Sequence, residues 1–179
     1  MKIFLILSGV LFMVAIGSYS KNINKGDLLF FGDDQMNICA ERSAGVNITV
    51  GELFRNQGDM EITITKVNLV EANGMRKLDA VLVEHVPEEL LMGLRDGWPP
   101  NDELFPLPEK WDSRVKAEGA VIEPGEEWSL VIGLVSYSAE TAFTKVKIVY
   151  KDKAGKFYEQ IIPMKYYITS NCKKAMEEY

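Results

Sequence analysis

The stretch from Glu123 to Ile168, EPGEEWSLVIGLVSYSAETAFTKVKIVYKDKAGKFYEQIIPMKYYI, decides the fold. Pro124-Gly125-Glu126-Glu127 carries turn chemistry. Trp128 to Tyr137, Phe143 to Tyr150 and Phe157 to Ile168 are rich in β-branched and aromatic residues, which suit a half-buried pleated surface. In the middle run Val146, Ile148 and Tyr150 alternate with Lys145, Lys147 and Val149, so one face is apolar and the other mostly polar. The polar link Lys151 to Lys156 places Gly155 where a hairpin loop needs positive φ. An antiparallel meander of three strands is expected. Pro163 cannot donate to a ladder, so it predicts an edge position or a bulge in the last strand. The apolar face of a meander has to be covered, and the rest of the chain is expected to supply a second sheet.

Upstream, Asp27 to Phe31 is a short strand candidate and Met36 to Ala40 an edge strand. Val46 to Asn56 alternates through Val46, Ile48 and Val50 until Gly51, which predicts a bulge and a change of phase. Glu61 to Val70 alternates through Ile62 and Ile64, then shifts to Val67 and Leu69, which turns Lys66 outward. Asn73-Gly74 is a strong local hairpin signal and predicts that this strand folds back onto Leu78 to Val83. From Val86 to Ala120 the pattern breaks: Glu88 to Leu94 has room for one or two helical turns, and Pro87, Pro99, Pro100, Pro106 and Pro108 exclude a long helix or a central strand. A long irregular loop over 86–120 is expected. Lys21 to Lys25 reads as a polar leader and Asn171 to Tyr179 as a charged tail. About seven short strands separated by turn signals predict an all-β chain, an immunoglobulin-like antiparallel β-sandwich forming one domain over 21–179.

Residues 1–20 follow another logic. Lys2 precedes an apolar run from Ile3 to Gly17, and Ser18-Tyr19-Ser20 offers small residues at the positions a signal peptidase inspects. The segment reads as a signal peptide cut before Lys21, or as an uncleaved membrane anchor if Ser18 to Ser20 are counted into the span. Both readings place the remainder outside the cytoplasm. There, the two cysteines, Cys39 and Cys172, invite a disulfide that would restrict the unfolded chain by about 4–5 kcal/mol on a chain-entropy model. The alternative is two separate thiols. Their separation excludes a CxxC redox or zinc motif.

The segments Ile122-Glu123-Pro124-Gly125-Glu126, Val131-Ile132-Gly133-Leu134 and Val149-Tyr150 through Phe157-Tyr158 resemble small secreted or membrane-anchored immunoglobulin-like proteins of bacteria that carry no assigned activity. The resemblance implies architecture and location and transfers no catalytic residues. The cysteine and tryptophan spacing of antibody domains is missing.

With 26 acidic and 20 basic residues the net charge is -6, and the basic residues are scattered. No nucleic-acid partner is expected, because phosphate binding needs clustered Lys and Arg. His85 is the one histidine, following a strand and without a nucleophile elbow elsewhere, so a serine triad or a Cys-His pair lacks parts. Eight methionines without a second His make no copper site, and the spaced pattern of a calcium loop is absent. No catalytic, cofactor or metal residues are assigned. Trp98, Leu104, Phe105 and Trp111 concentrate apolar side chains in the irregular loop: exposed, they form an interaction patch; packed, they cap one open end of the sandwich. The expected function is that of an exported, non-catalytic domain acting through contacts with a protein partner, with membrane involvement confined to the N-terminal segment. One alternative is a carbohydrate-binding module or carboxylate-dependent hydrolase using the Trp98 to Trp111 loop. Another is an immunity or inhibitor protein whose acidity suits a basic partner.

Overall fold

The computed structural model describes residues 23–32, 36–87, 93–100, 106–138 and 140–178. The signal or anchor segment 1–20, together with Leu104 and Phe105, lies outside them. The described residues form two sheets packed face to face, an all-β sandwich. The strands are β1 (Ile23–Lys25), β2 (Leu29–Phe30), β3 (Met36–Glu41), β4 (Asn47–Asn56), β5 (Ile62–Asn73), β6 (Met75–Glu84), β7 (Gly93–Asp96), β8 (Val115–Lys116), β9 (Val121–Ile122), β10 (Glu127–Ser136), β11 (Ala142–Asp152) and β12 (Phe157–Thr169). The front sheet runs β1-β12-β11-β5-β9, with β3 also on β12; the back sheet runs β2-β4-β10-β6-β8, with β7 also on β4. Twelve strands among the described residues replace the expected seven, because β1, β2, β7, β8 and β9 are pieces of two to four residues that complete sheet edges.

Alternation builds the core as expected. Val146, Ile148 and Tyr150 of β11 are fully buried and meet Ile48, Val50 and Leu130 of the back sheet in one cluster. β11 and β12 form a true hairpin closed by Asp152 and Lys156, with Gly155 at φ 81°. Pro163 satisfies both expectations: it sits where β12 slips by two residues against β11, and on the edge that β1 and β3 share. In β5 the phase change is a bulge around Thr65, and Lys66 is exposed.

Other expectations are corrected. The three closing strands are no meander, since β10 lies in the back sheet between β4 and β6 while β11 and β12 lie in the front sheet. Asn73-Gly74 is likewise no hairpin; it is a corner at which the chain leaves β5 in the front sheet and enters β6 in the back one. Gly74 adopts φ 63° there, and a Cβ on it would stand 2.5 Å from the Ser138 Cβ in the other crossing between sheets. Gly51 is paired on both sides without a register shift, so β4 keeps its phase and Glu52, not Leu53, points inward. The expected leader contains β1, which pairs in parallel with Phe157 to Glu159. The expected tail is a helix, α1 (Cys172–Glu178), begun by the Asn171 side chain accepting from the Lys174 N–H at 2.9 Å. The expected irregular loop contains β7, a 3-10 turn at Glu109–Ser113 and β8.

Candidate interaction surface

The described part of the 86–120 segment covers the outer face of the back sheet. Val81, Val83 and Val131 point away from the main core and would be wet without it; Trp111 closes over them at 7% exposure, with Trp98 and Leu107 packed alongside. Gly133 makes the space, because a Cβ there would stand 2.3 Å from Trp98 Cδ2. The Arg114 guanidinium stacks 4.7 Å above the Trp111 ring and donates to the Trp111 carbonyl at 3.0 Å. The two tryptophans therefore reach the same outer face of the back sheet, and Trp111 at 7% exposure is a packing residue with no ring face to offer a partner.

Among the described residues, the edge of the front sheet along β12 is interrupted. Leaving β1 at Lys25, the chain crosses to the back sheet at β2 and returns to the front sheet at β3. The crossing is tight. A Cβ on Gly26 would stand 2.3 Å from the Tyr150 hydroxyl, which accepts from the Leu28 N–H at 3.1 Å. The Gln160 side-chain amide completes it by accepting from the Leu29 N–H and donating to the Leu29 carbonyl. Because β1 covers β12 through Glu159 and β3 begins at Met164, the four residues from Gln160 to Pro163 have no neighbouring strand on that side among the described residues. A groove of about 1060 Å³ opens there. Met36 and Ile161 line it, at 52% and 48% exposure, and Ile23 on β1 beside it is 47% exposed. Of the charged residues that line it, Lys145 pairs with Glu71 at 3.0 Å, and Glu159 pairs with Lys147 of β11 at 2.8 Å. Lys165 lies 4.4 Å above the Phe143 ring and 5.2 Å above that of Tyr167.

The rim beyond β3 is fastened covalently. Cys39 and Cys172 form a disulfide with Cα atoms 5.8 Å apart, which lays α1 against β3 and β12 and buries Ala175. Cys172 N–H also donates to Glu41. His85 is half-buried just after β6, and its Nδ1 has no hydrogen-bond partner among the described residues. Among those residues no three of His, Cys, Asp and Glu converge as a metal site would require. Sequence reasoning missed two features: the interrupted edge, which local patterns cannot show, and Glu52, whose carboxyl lies inside the sandwich at 2.9 Å from the Tyr166 hydroxyl. Burial pushes Glu52 above the usual carboxylate value against the opposing hydrogen bond, and burial with the neighbouring carboxylate pushes Tyr166 well above that of a free phenol.

No protein-family model matches the chain, and no curated protein matches its sequence. Among solved structures it is similar to PapD-like domain 7 of human CEP192, with TM-score 0.41 and 8% identity over 94% of this chain and 97% of that one. It is similar to the VesB protease of Vibrio cholerae at TM-score 0.41 and 9% identity, covering 76% of this chain and 30% of the protease. It is also similar to the adhesin CfaE of enterotoxigenic E. coli at TM-score 0.36 and 9% identity, covering 84% of this chain and 49% of the adhesin.

Proposed function

We propose that the chain is an exported, immunoglobulin-like, non-catalytic domain that binds a protein partner at the interrupted edge of β12. The observation that carries this reading is the groove between β1 and β3, where a sheet edge, exposed Met36 and Ile161, and paired charges lie together. An apolar centre with a polar rim is the composition of a protein contact, and a strand edge that no described strand covers supplies main-chain groups for one. Export is supported by the Cys39–Cys172 bridge, which suits an oxidising compartment. The alternative use of Trp98 and Trp111 as a sugar platform is disfavoured by the packing of Trp111.

The test is site-specific photo-crosslinking in the native host, with the reactive side chain placed at Ile161 or Met36 and, as controls on other surfaces, at Met60 or Val121. A discrete adduct from the first pair, absent from the controls and lost when Ile161→Lys is combined with the probe at Met36, is the expected result. Equal labelling from all four positions would remove the groove from consideration.

A further inference from the structure

Glu52 is the one acidic side chain on the inward face of β4, in line with Ile48, Val50 and Phe54. It is 2% exposed. A carboxylate so placed lacks the water that stabilises its charge, and burial of an isolated anion is strongly unfavourable unless a cation or several donors compensate. The groups facing it are few. Along β4 its inward neighbours are Val50 and Phe54, and across the ladder β10 sets Leu130 opposite. From the front sheet β12 presents the Tyr166 hydroxyl at 2.9 Å, itself in a fully buried side chain. Tyr166 is the hydrogen-bond partner of Glu52, and among the described residues no Lys or Arg forms an ion pair with it.

We propose that Glu52 is held as the neutral acid in the folded protein, where its hydrogen bond to Tyr166 joins the two sheets, and that ionisation with rising pH places an uncompensated charge between the sheets and so loosens their contact. The bond joins β4 of the back sheet to β12 of the front sheet through the middle of the core. One residue along β12 from Tyr166, Tyr167 is paired with Cys39 in β3, so the Cys39–Cys172 bridge keeps β3, β12 and α1 together when the buried charge forms. Loosening is thereby directed to the contact between sheets.

The sign follows from linkage. A carboxyl whose folded value lies above its unfolded one stabilises the fold fully at pH below the unfolded value, near 4.5, and loses that contribution as pH rises to the folded value. Across that window each pH unit multiplies the unfolding equilibrium constant by up to tenfold. The experiment is chemical denaturation of the full chain between pH 4 and pH 9 for the wild type, Glu52→Gln and Tyr166→Phe. Glu52→Gln keeps the shape and the hydrogen bond without the titration, so its unfolding constant is expected to match the wild type near pH 4 and fall progressively below it at higher pH. Tyr166→Phe removes a bond that favours the anion, and is expected to keep the pH slope and extend it upward. Wild-type and Glu52→Gln curves that stay parallel across the range overturn the proposal. Should Glu52→Gln fail to fold, the side-chain carboxyl carbon resonance of Glu52 in the wild type decides. It is expected to stay at the protonated position at pH 6, where exposed glutamates have already moved; movement together with them overturns the proposal.

Discussion

Gly133 and Trp98 occupy one volume, and this sets the cost of changing either. Adding a Cβ at position 133 forces the indole off the back sheet, since the new carbon would lie 2.3 Å from Trp98 Cδ2. Gly133→Ala is expected to destabilise the fold by about 1–3 kcal/mol in urea denaturation, as overpacking does. The same substitution in a Trp98→Ala background is expected to cost much less, because the clashing partner is gone. Trp111 is the larger anchor. At 7% exposure over Val81, Val83 and Val131, its replacement by Ala is expected to cost about 3–5 kcal/mol in the same measurement, whereas a solvent-facing ring would cost almost nothing. Glu52 shows why single residues mislead a reader of sequence. Gly51 beside it looks like a bulge, and a bulge would have turned Glu52 outward; the ladder continues unbroken because Gly51 pairs with Val131 on one side and Gly93 on the other.

Strands and edges carry a second set of consequences. Beyond β9 the outer edge of β5 is closed by side chains. The Val67 N–H donates to Glu118, the Val67 carbonyl accepts from Lys77, and Lys77 and Glu118 pair at 3.1 Å. This satisfies both main-chain groups of an edge residue and denies them to another chain. Glu118→Ala is expected to cost about 0.5–1 kcal/mol and to accelerate hydrogen exchange at the Val67 amide, measured by NMR, while amides in the middle of β11 stay unchanged. The Cys39–Cys172 bridge closes a loop with a sequence separation of 133. Cys39→Ser with Cys172→Ser is expected to lower stability by about 4–5 kcal/mol if chain entropy dominates, and to fray α1, whose seven residues are too few to persist alone. Denaturation with and without reductant measures the first effect, and exchange in α1 the second.

For the molecule as a whole, the shifted carboxyls pull in opposite directions with pH. Asp96 is held below the usual range first by its hydrogen bond to Arg42, and Glu118 first by the Val67 N–H. Groups lowered on folding contribute stability above their unfolded values and lose it as pH falls; Glu52, raised on folding, loses its contribution as pH rises. The stability profile is therefore expected to peak in mild acid, with an acid limb from Asp96 and Glu118 and a limb on the high-pH side from Glu52. The Arg42–Asp96 pair is exposed, so added salt is expected to flatten the acid limb and leave the other unchanged, which denaturation at two ionic strengths checks.

The sequence by itself determined what depends on near neighbours in the chain. Alternation along Val146, Ile148 and Tyr150 set the buried face of β11, because successive side chains on a strand point to opposite sides. Positive φ at Gly155 and the missing N–H of Pro163 located a hairpin loop and an edge by covalent geometry alone. Tertiary structure decided everything that depends on which sheet a strand joins. Asn73-Gly74 has the chemistry of a hairpin and serves as a corner between sheets, since a tight turn fixes the reversal of the chain locally while the partner strand is chosen by where apolar faces find cover. The same long-range choice brings Trp111 down onto Val131, leaves the edge of β12 between β1 and β3 without a neighbour among the described residues, and carries Glu52 to Tyr166 across 114 residues of sequence.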